Sequence, residues 1–173
     1  MMSRLAVGIL ALTLATSPLA ASAKVECPDL SSSQLKTLQK TWRYGEKKMG
    51  AGWGVKLAAL AYQESELGLK KHGRGSYGTF QLKPRTASEL AGKKVTRKQL
   101  IQNHALSAEL ATDYLTFWKE KGYSDQKVFA RYNAGYKVNA SSKKYAKSVQ
   151  KKIKLFEQCY VYKDGVLHER ATG

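Results

Sequence analysis

Acidic residues are scarce in this chain: 13 Asp+Glu stand against 30 Lys+Arg in 173 residues, a formal net charge of +17. Such a surface calls for an anionic partner, and nucleic acid, anionic lipid and an acidic wall polymer all satisfy that condition. Cysteine is scarcer still, at Cys27 and Cys159 alone, which excludes a disulfide-dense miniature scaffold. With only three prolines, 25% charged and 43% hydrophobic residues, the composition excludes a low-complexity polymer and a largely disordered chain. The three histidines, His72, His104 and His168, have no ligand spacing with one another or with the cysteines, so the sequence offers no metal site and no cofactor. No internal repeat or linker divides the chain. One domain remains, large enough to bury a core unaided.

The longest apolar run lies at the start. A basic stretch, Met1 to Arg4, precedes Leu5 to Ala20, and Ala21-Ser22-Ala23 supplies a small-x-small cleavage site. Together they predict a secretory signal peptide over residues 1–23, cut after Ala23, with the functional domain spanning 24–173. Thr13, Thr16, Ser17 and Pro18 interrupt the run, which makes an uncleaved anchor the lesser reading. Export predicts a periplasmic or secreted protein without a stable membrane anchor. It also counts against nucleic acid, as does the absence of a recognised binding module. In an oxidising compartment Cys27 and Cys159 most simply pair, the alternative being two free thiols.

Past the leader the periodicity is helical. Leu35, Leu38, Trp42 and Met49 recur at three- to four-residue steps behind Ser31 to Ser33, with Gly50 as a stop. A second helix is predicted from Gly54 to Leu67, ending at Gly68, and a glycine-rich basic loop from Gly68 to Ser76. A short helix follows Pro84, Thr96 caps a turn, and a long helix runs from about Asn103 to Lys121. Ser124 introduces a helix over Asp125 to Asn133, and Ser141 or Ser142 caps a last helix through Phe156. Cys159 to Val166, with its Lys163-Asp164-Gly165 turn, reads as a short hairpin or an irregular tail. The fold class is therefore mostly α.

One acid is out of place. Leu57, Leu60 and Ala61 lie at i−7, i−4 and i−3 from Glu64, which puts Glu64 on the apolar stripe, whereas Glu66 falls about 200° further round and faces water. Burial and the negative helix end both raise a carboxyl's pKa, and a carboxyl kept protonated near neutrality is what a general acid requires. A buried glutamate paired with one of the many lysines satisfies the same position.

The companions of Glu64 decide between these readings. Gln63-Glu64-Ser65 closes a helix, a glycine-rich loop leads to Gly78-Thr79-Phe80-Gln81, and about fifty residues later comes Arg131-Tyr132-Asn133-Ala134-Gly135. This order resembles the catalytic domain of the lytic transglycosylases with a lysozyme-like fold, and more distantly goose-type lysozyme. That family carries a Glu-Ser pair, a Gly-Leu-Met-Gln element and an Ala-Tyr-Asn-Ala-Gly element at about these intervals. The resemblance covers roughly residues 45–158 and implies a single lysozyme-like helical domain. It makes Glu64 the catalytic acid, with Ser65, Ser76, Tyr77, Gln81, Tyr132 and Asn133 around the substrate. Thr79-Phe80 departs from the family's Leu-Met, Arg131 stands in place of Ala, and the loop after Glu64 is unusually basic, so the subsites are expected to differ in shape.

Ordinary glycoside hydrolysis uses two carboxyl groups. Between Glu64 and Glu109 the only acids are Glu66 and Glu89, and no aspartate occurs between Glu64 and Asp113. The scarcity favours a one-acid, substrate-assisted reaction. The resemblance specifies lytic cleavage between N-acetylmuramic acid and N-acetylglucosamine, closing a 1,6-anhydro ring without water or metal. The partners implied are peptidoglycan glycan strands, and an envelope-spanning secretion or conjugation machine for a small, monomeric enzyme of this kind. Two alternatives stay open: a muramidase on the same fold, and a non-enzymatic cationic wall-binding protein. The second draws on Lys143, Lys144, Lys147, Lys151, Lys152 and Lys154 along the last helix.

Overall fold

The computed structural model describes residues 25–170, so the signal-peptide expectation lies outside the described residues. Seven helices and one hairpin follow in order: α1 (Ser32–Met49), α2 (Trp53–Ser65), α3 (Pro84–Ala91), α4 (Arg97–Gln102), α5 (His104–Lys119), α6 (Asp125–Ala134), α7 (Ala140–Cys159), β1 (Tyr160–Lys163) and β2 (Val166–Glu169). The mostly helical expectation holds, and the ambiguous tail is a hairpin, antiparallel with Tyr160 opposite Glu169 and Lys163 opposite Val166.

Helix α2 is the axis of the molecule. Its residues Leu57, Ala58, Ala59, Leu60 and Ala61 are fully buried, because α1 packs on one flank and α7 on the other. Small residues allow this crowding. A Cβ added at Gly54 would lie 2.2 Å from the Trp42 ring, and one at Gly45 would lie 2.6 Å from the Trp53 carbonyl oxygen, so α1 and α2 meet almost backbone to backbone. Glu46 fastens the junction: its carboxylate accepts the Gly52 and Gly54 amides at the α2 N-terminus, where an anion meets the positive end of the helix.

The caps refine the sequence reading. Ser31 opens α1 and Thr96 opens α4, each through a reciprocal capping box. Helix α7 is capped two or three residues earlier than expected, by Asn139, whose Oδ1 accepts the Ser142 amide while Ser142 Oγ accepts the Asn139 amide. Neither Ser141 nor Ser142 is the cap residue, because Ser142 occupies the third helical position of the box. Helix α2 also ends earlier than expected. Glu66 and Leu67 both adopt left-handed backbone angles, φ 51° and 59°, and the turn delivers Leu67 into the core at 2% exposure. Burial of that side chain outweighs the left-handed strain.

Cys27 and Cys159 form a disulfide with Cα atoms 5.6 Å apart, tying the segment before α1 to the end of α7. The hairpin is fixed against α1 through stacking of Trp42 and Tyr162 and a hydrogen bond from Arg43 Nη2 to the Gly165 carbonyl. Among the described residues no helix is long and apolar enough to cross a membrane, and no group of three or more His, Cys, Asp or Glu residues could hold a metal ion.

Candidate active site

The end of α2 faces a cleft of about 410 Å³ whose wall includes Glu64, Ser76, Gln81, Tyr114, Tyr132 and Asn133. Glu64 and four of the six residues expected around the substrate, Ser76, Gln81, Tyr132 and Asn133, thus share one cavity. Glu64 is the only carboxyl on its wall among the described residues. Burial raises the Glu64 pKa to about 7, while a hydrogen bond from Tyr145 acts in the opposite direction. The group is therefore close to half-protonated at neutral pH, suited to giving a proton and then taking one back.

Tyr145 is the residue that the sequence reading missed. It lies on the second turn of α7 and donates its hydroxyl to Glu64 Oε1. Burial and the Glu64 charge raise the tyrosine's own pKa well above its ordinary value, so it stays a donor at every working pH. The bond occupies one carboxyl oxygen and leaves Oε2 for the transferable proton. One turn further along α7, Ser148 Oγ donates to Gln63 Oε1 at 2.7 Å and receives Lys152 Nζ at 3.1 Å. Two adjacent residues of α2 are thereby locked to α7.

Ser65 and Tyr77 do not line the cleft. The Ser65 side chain turns inward at 2% exposure. Its hydroxyl donates to the Thr79 carbonyl at 2.7 Å and accepts the Gly68 amide at 2.8 Å, binding the helix end to the element that carries Gln81. Tyr77 pairs through its backbone with Leu82 and His72, shaping the same loop. Glu66, expected to face water, leaves the helix and pairs with Lys70.

The loop from Lys70 to Gln81 is held from within. Gln81 has a left-handed backbone, φ 48°. Its side-chain amide donates to the Gly78 carbonyl at 2.8 Å and the Lys70 carbonyl at 3.3 Å and accepts from Ser76 Oγ at 3.0 Å. Gly78 has φ 82°, and a Cβ there would lie 2.1 Å from the Leu100 carbonyl oxygen; both features demand glycine. The departures at Thr79 and Phe80 fall on the core side, at 2% and 0% exposure. Thr79 Oγ1 bonds to His104 Nδ1 at 3.2 Å, and Tyr132 donates to the Phe80 carbonyl at 2.8 Å. His104 is held neutral, its pKa lowered to about 4 by burial and then by the charges of Lys40 and Lys71.

A larger cavity of about 950 Å³ lies between α1 and the start of α5, where Lys36, Lys40, Arg43 and Lys47 supply four cations and no carboxyl. It offers no carboxyl counterpart to Glu64. The Lys143, Lys144, Lys147, Lys151 and Lys154 side chains are exposed along α7, and none of them forms an ion pair among the described residues.

The described residues form a mainly helical domain that sets one carboxyl of raised pKa in an open polar cleft. Comparison with known families agrees: the model of the transglycosylase SLT domain matches residues 41–155, two thirds of the chain, and the protein belongs to that family. No curated protein and no solved structure gives a match. The matched segment contains Glu64, Gln81, Tyr132, Asn133 and Tyr145, so the whole cleft lies inside it.

Proposed function

We propose that this protein is a peptidoglycan lytic transglycosylase, cleaving the β-1,4 bond between N-acetylmuramic acid and N-acetylglucosamine without water. The observation that carries the reading is a cleft carboxyl, the only one on the wall among the described residues, with its pKa raised to about 7. Protonated Glu64 gives its proton to the glycosidic oxygen as the C1–O bond breaks, and the N-acetyl carbonyl oxygen of the muramic acid closes onto C1. Ionised Glu64 then takes the proton from the C6 hydroxyl while O6 attacks C1 and displaces the carbonyl oxygen. The acid ends as it began, and the product is a 1,6-anhydro end.

Each neighbour has a part in this scheme. Tyr145 holds the carboxyl through one oxygen and stabilises it while charged. Gln81 and Ser76 shape one wall, Tyr132 and Asn133 the other, and Ser65 acts from behind by fixing the Gln81 element to the helix that carries the acid. Export by the N-terminal leader, with action in the periplasm or outside the cell, belongs to the same proposal, as does local wall opening beside an envelope-spanning machine. Exposed lysines on α7 serve docking to an anionic wall rather than chemistry. The test is Glu64→Gln: purified variant that binds sacculi but no longer solubilises them supports the assignment, and retained solubilisation refutes it.

A further inference from the structure

Tyr136 follows directly on the last residue of the cleft wall, Gly135, and is exposed at 73%, the largest value among the large hydrophobic side chains of the described residues. An aromatic ring on an open surface is usually loose. This one is held: it meets Trp118 and Phe117 at 5.0 and 6.5 Å between centroids, nearly perpendicular to both. The backbone beneath it is held as well, because Arg131 Nη1 donates to the Gly135 carbonyl at 3.2 Å and the Tyr136 carbonyl at 3.0 Å. The Arg131 guanidinium lies 4.8 Å from the Trp118 ring and 4.5 Å from the Tyr123 ring, a cation fixed between aromatic faces. Arginine at this position, a departure in the sequence motif, thus serves to pin the turn.

The aromatic contacts are continuous. Tyr132, in the cleft wall, meets Tyr114 at 5.5 Å; Tyr114 meets Trp118 at 5.8 Å; Trp118 meets Tyr136. A row of rings runs from the acid's surroundings to the rim and ends in an exposed ring of fixed orientation. Pyranose rings present an apolar face of C–H groups, and an oriented, solvent-open aromatic is complementary to that face. We infer that Tyr136 forms an additional sugar subsite, stacking an N-acetylhexosamine unit of the glycan strand beyond those held in the cleft, with Arg131 as its positioning residue. This inference rests on the proposed action on peptidoglycan.

Binding is measured in the Glu64→Gln background, which prevents turnover, using purified uncrosslinked glycan strands several disaccharides long and, separately, one disaccharide. Tyr136→Ala is expected to weaken binding of the long strands roughly three- to tenfold, with no change for the disaccharide and no change in thermal midpoint. Tyr136→Phe should bind both as the parent does. Equal affinity of Tyr136→Ala and parent for the long strands would overturn the subsite, and so would an equal loss for strand and disaccharide, which places the ring inside the cleft. If the folded parent binds no glycan at all, the proposed function itself fails and the subsite with it.

Discussion

The Tyr145 hydroxyl donates to Glu64 Oε1 across 81 positions of sequence, joining the last helix to the cleft's only acid among the described residues. Burial alone pushes the carboxyl upward, and this bond holds it back near 7. The acid and base roles proposed for Glu64 both depend on that balance.

Tyr145→Phe removes the donor while leaving the ring. The Glu64 pKa is expected to rise, because the charged form loses its partner. The alkaline limb of the pH profile of kcat/KM should move to higher pH, and the maximal rate should fall by about tenfold or more. A pH–rate profile of the variant that overlays the wild type would contradict this role.

Glu64 also costs stability. Its pKa rises from 4.5 in the open chain to about 7 in the fold, so between these values the folded state binds more protons and stability falls as pH rises. The cost is absent below pH 4.5, complete above pH 7, and on the order of 3 kcal/mol. Glu64→Gln should therefore be more stable than wild type at pH 8 and equal to it near pH 4. Urea midpoints at the two pH values check the sign.

Gly78→Ala places a Cβ against the Leu100 carbonyl in a backbone region hostile to side chains. A loss of about 3 kcal/mol or more is expected, along with loss of activity as the Gln81 element shifts. Thermal unfolding together with sacculus turnover measures both; a variant matching wild type in each would mean that the close approach to Leu100 does not constrain the loop.

Reducing the bond between Cys27 and Cys159, 132 positions apart, should lower stability by about 4–5 kcal/mol on the chain-entropy account. Denaturant unfolding with and without reductant reads the difference directly. Identical midpoints would show that the closure does little for the fold.

The acid was legible because α2 is buried on nearly all sides, so a glutamate in phase with Leu57, Leu60 and Ala61 had to point somewhere unusual. Gln81, Tyr132 and Asn133 were legible only through the order of three motifs. Tyr145 was not, since its role arises from the packing of α7 against α2; the available cue was a tyrosine bordering the buried stripe of Ser142, Ala146 and Val149. Ser65 carries the opposite lesson. Its place beside the acid was plain, but the left-handed turn at Glu66 and Leu67, which turns the hydroxyl toward Thr79, is set by burial of Leu67 and leaves no local signature. The cap at Asn139 was missed because three polar residues, Asn139, Ser141 and Ser142, compete there and only the reciprocal bonds decide.

The central claim is that one carboxyl suffices because the sugar's own C6 hydroxyl replaces water. Mass spectrometry of muropeptides released from purified sacculi tests it most directly. The account predicts products ending in 1,6-anhydromuramic acid, one water lighter than the hydrolysed form. Products bearing only reducing-end muramic acid would contradict it and make the protein a hydrolase.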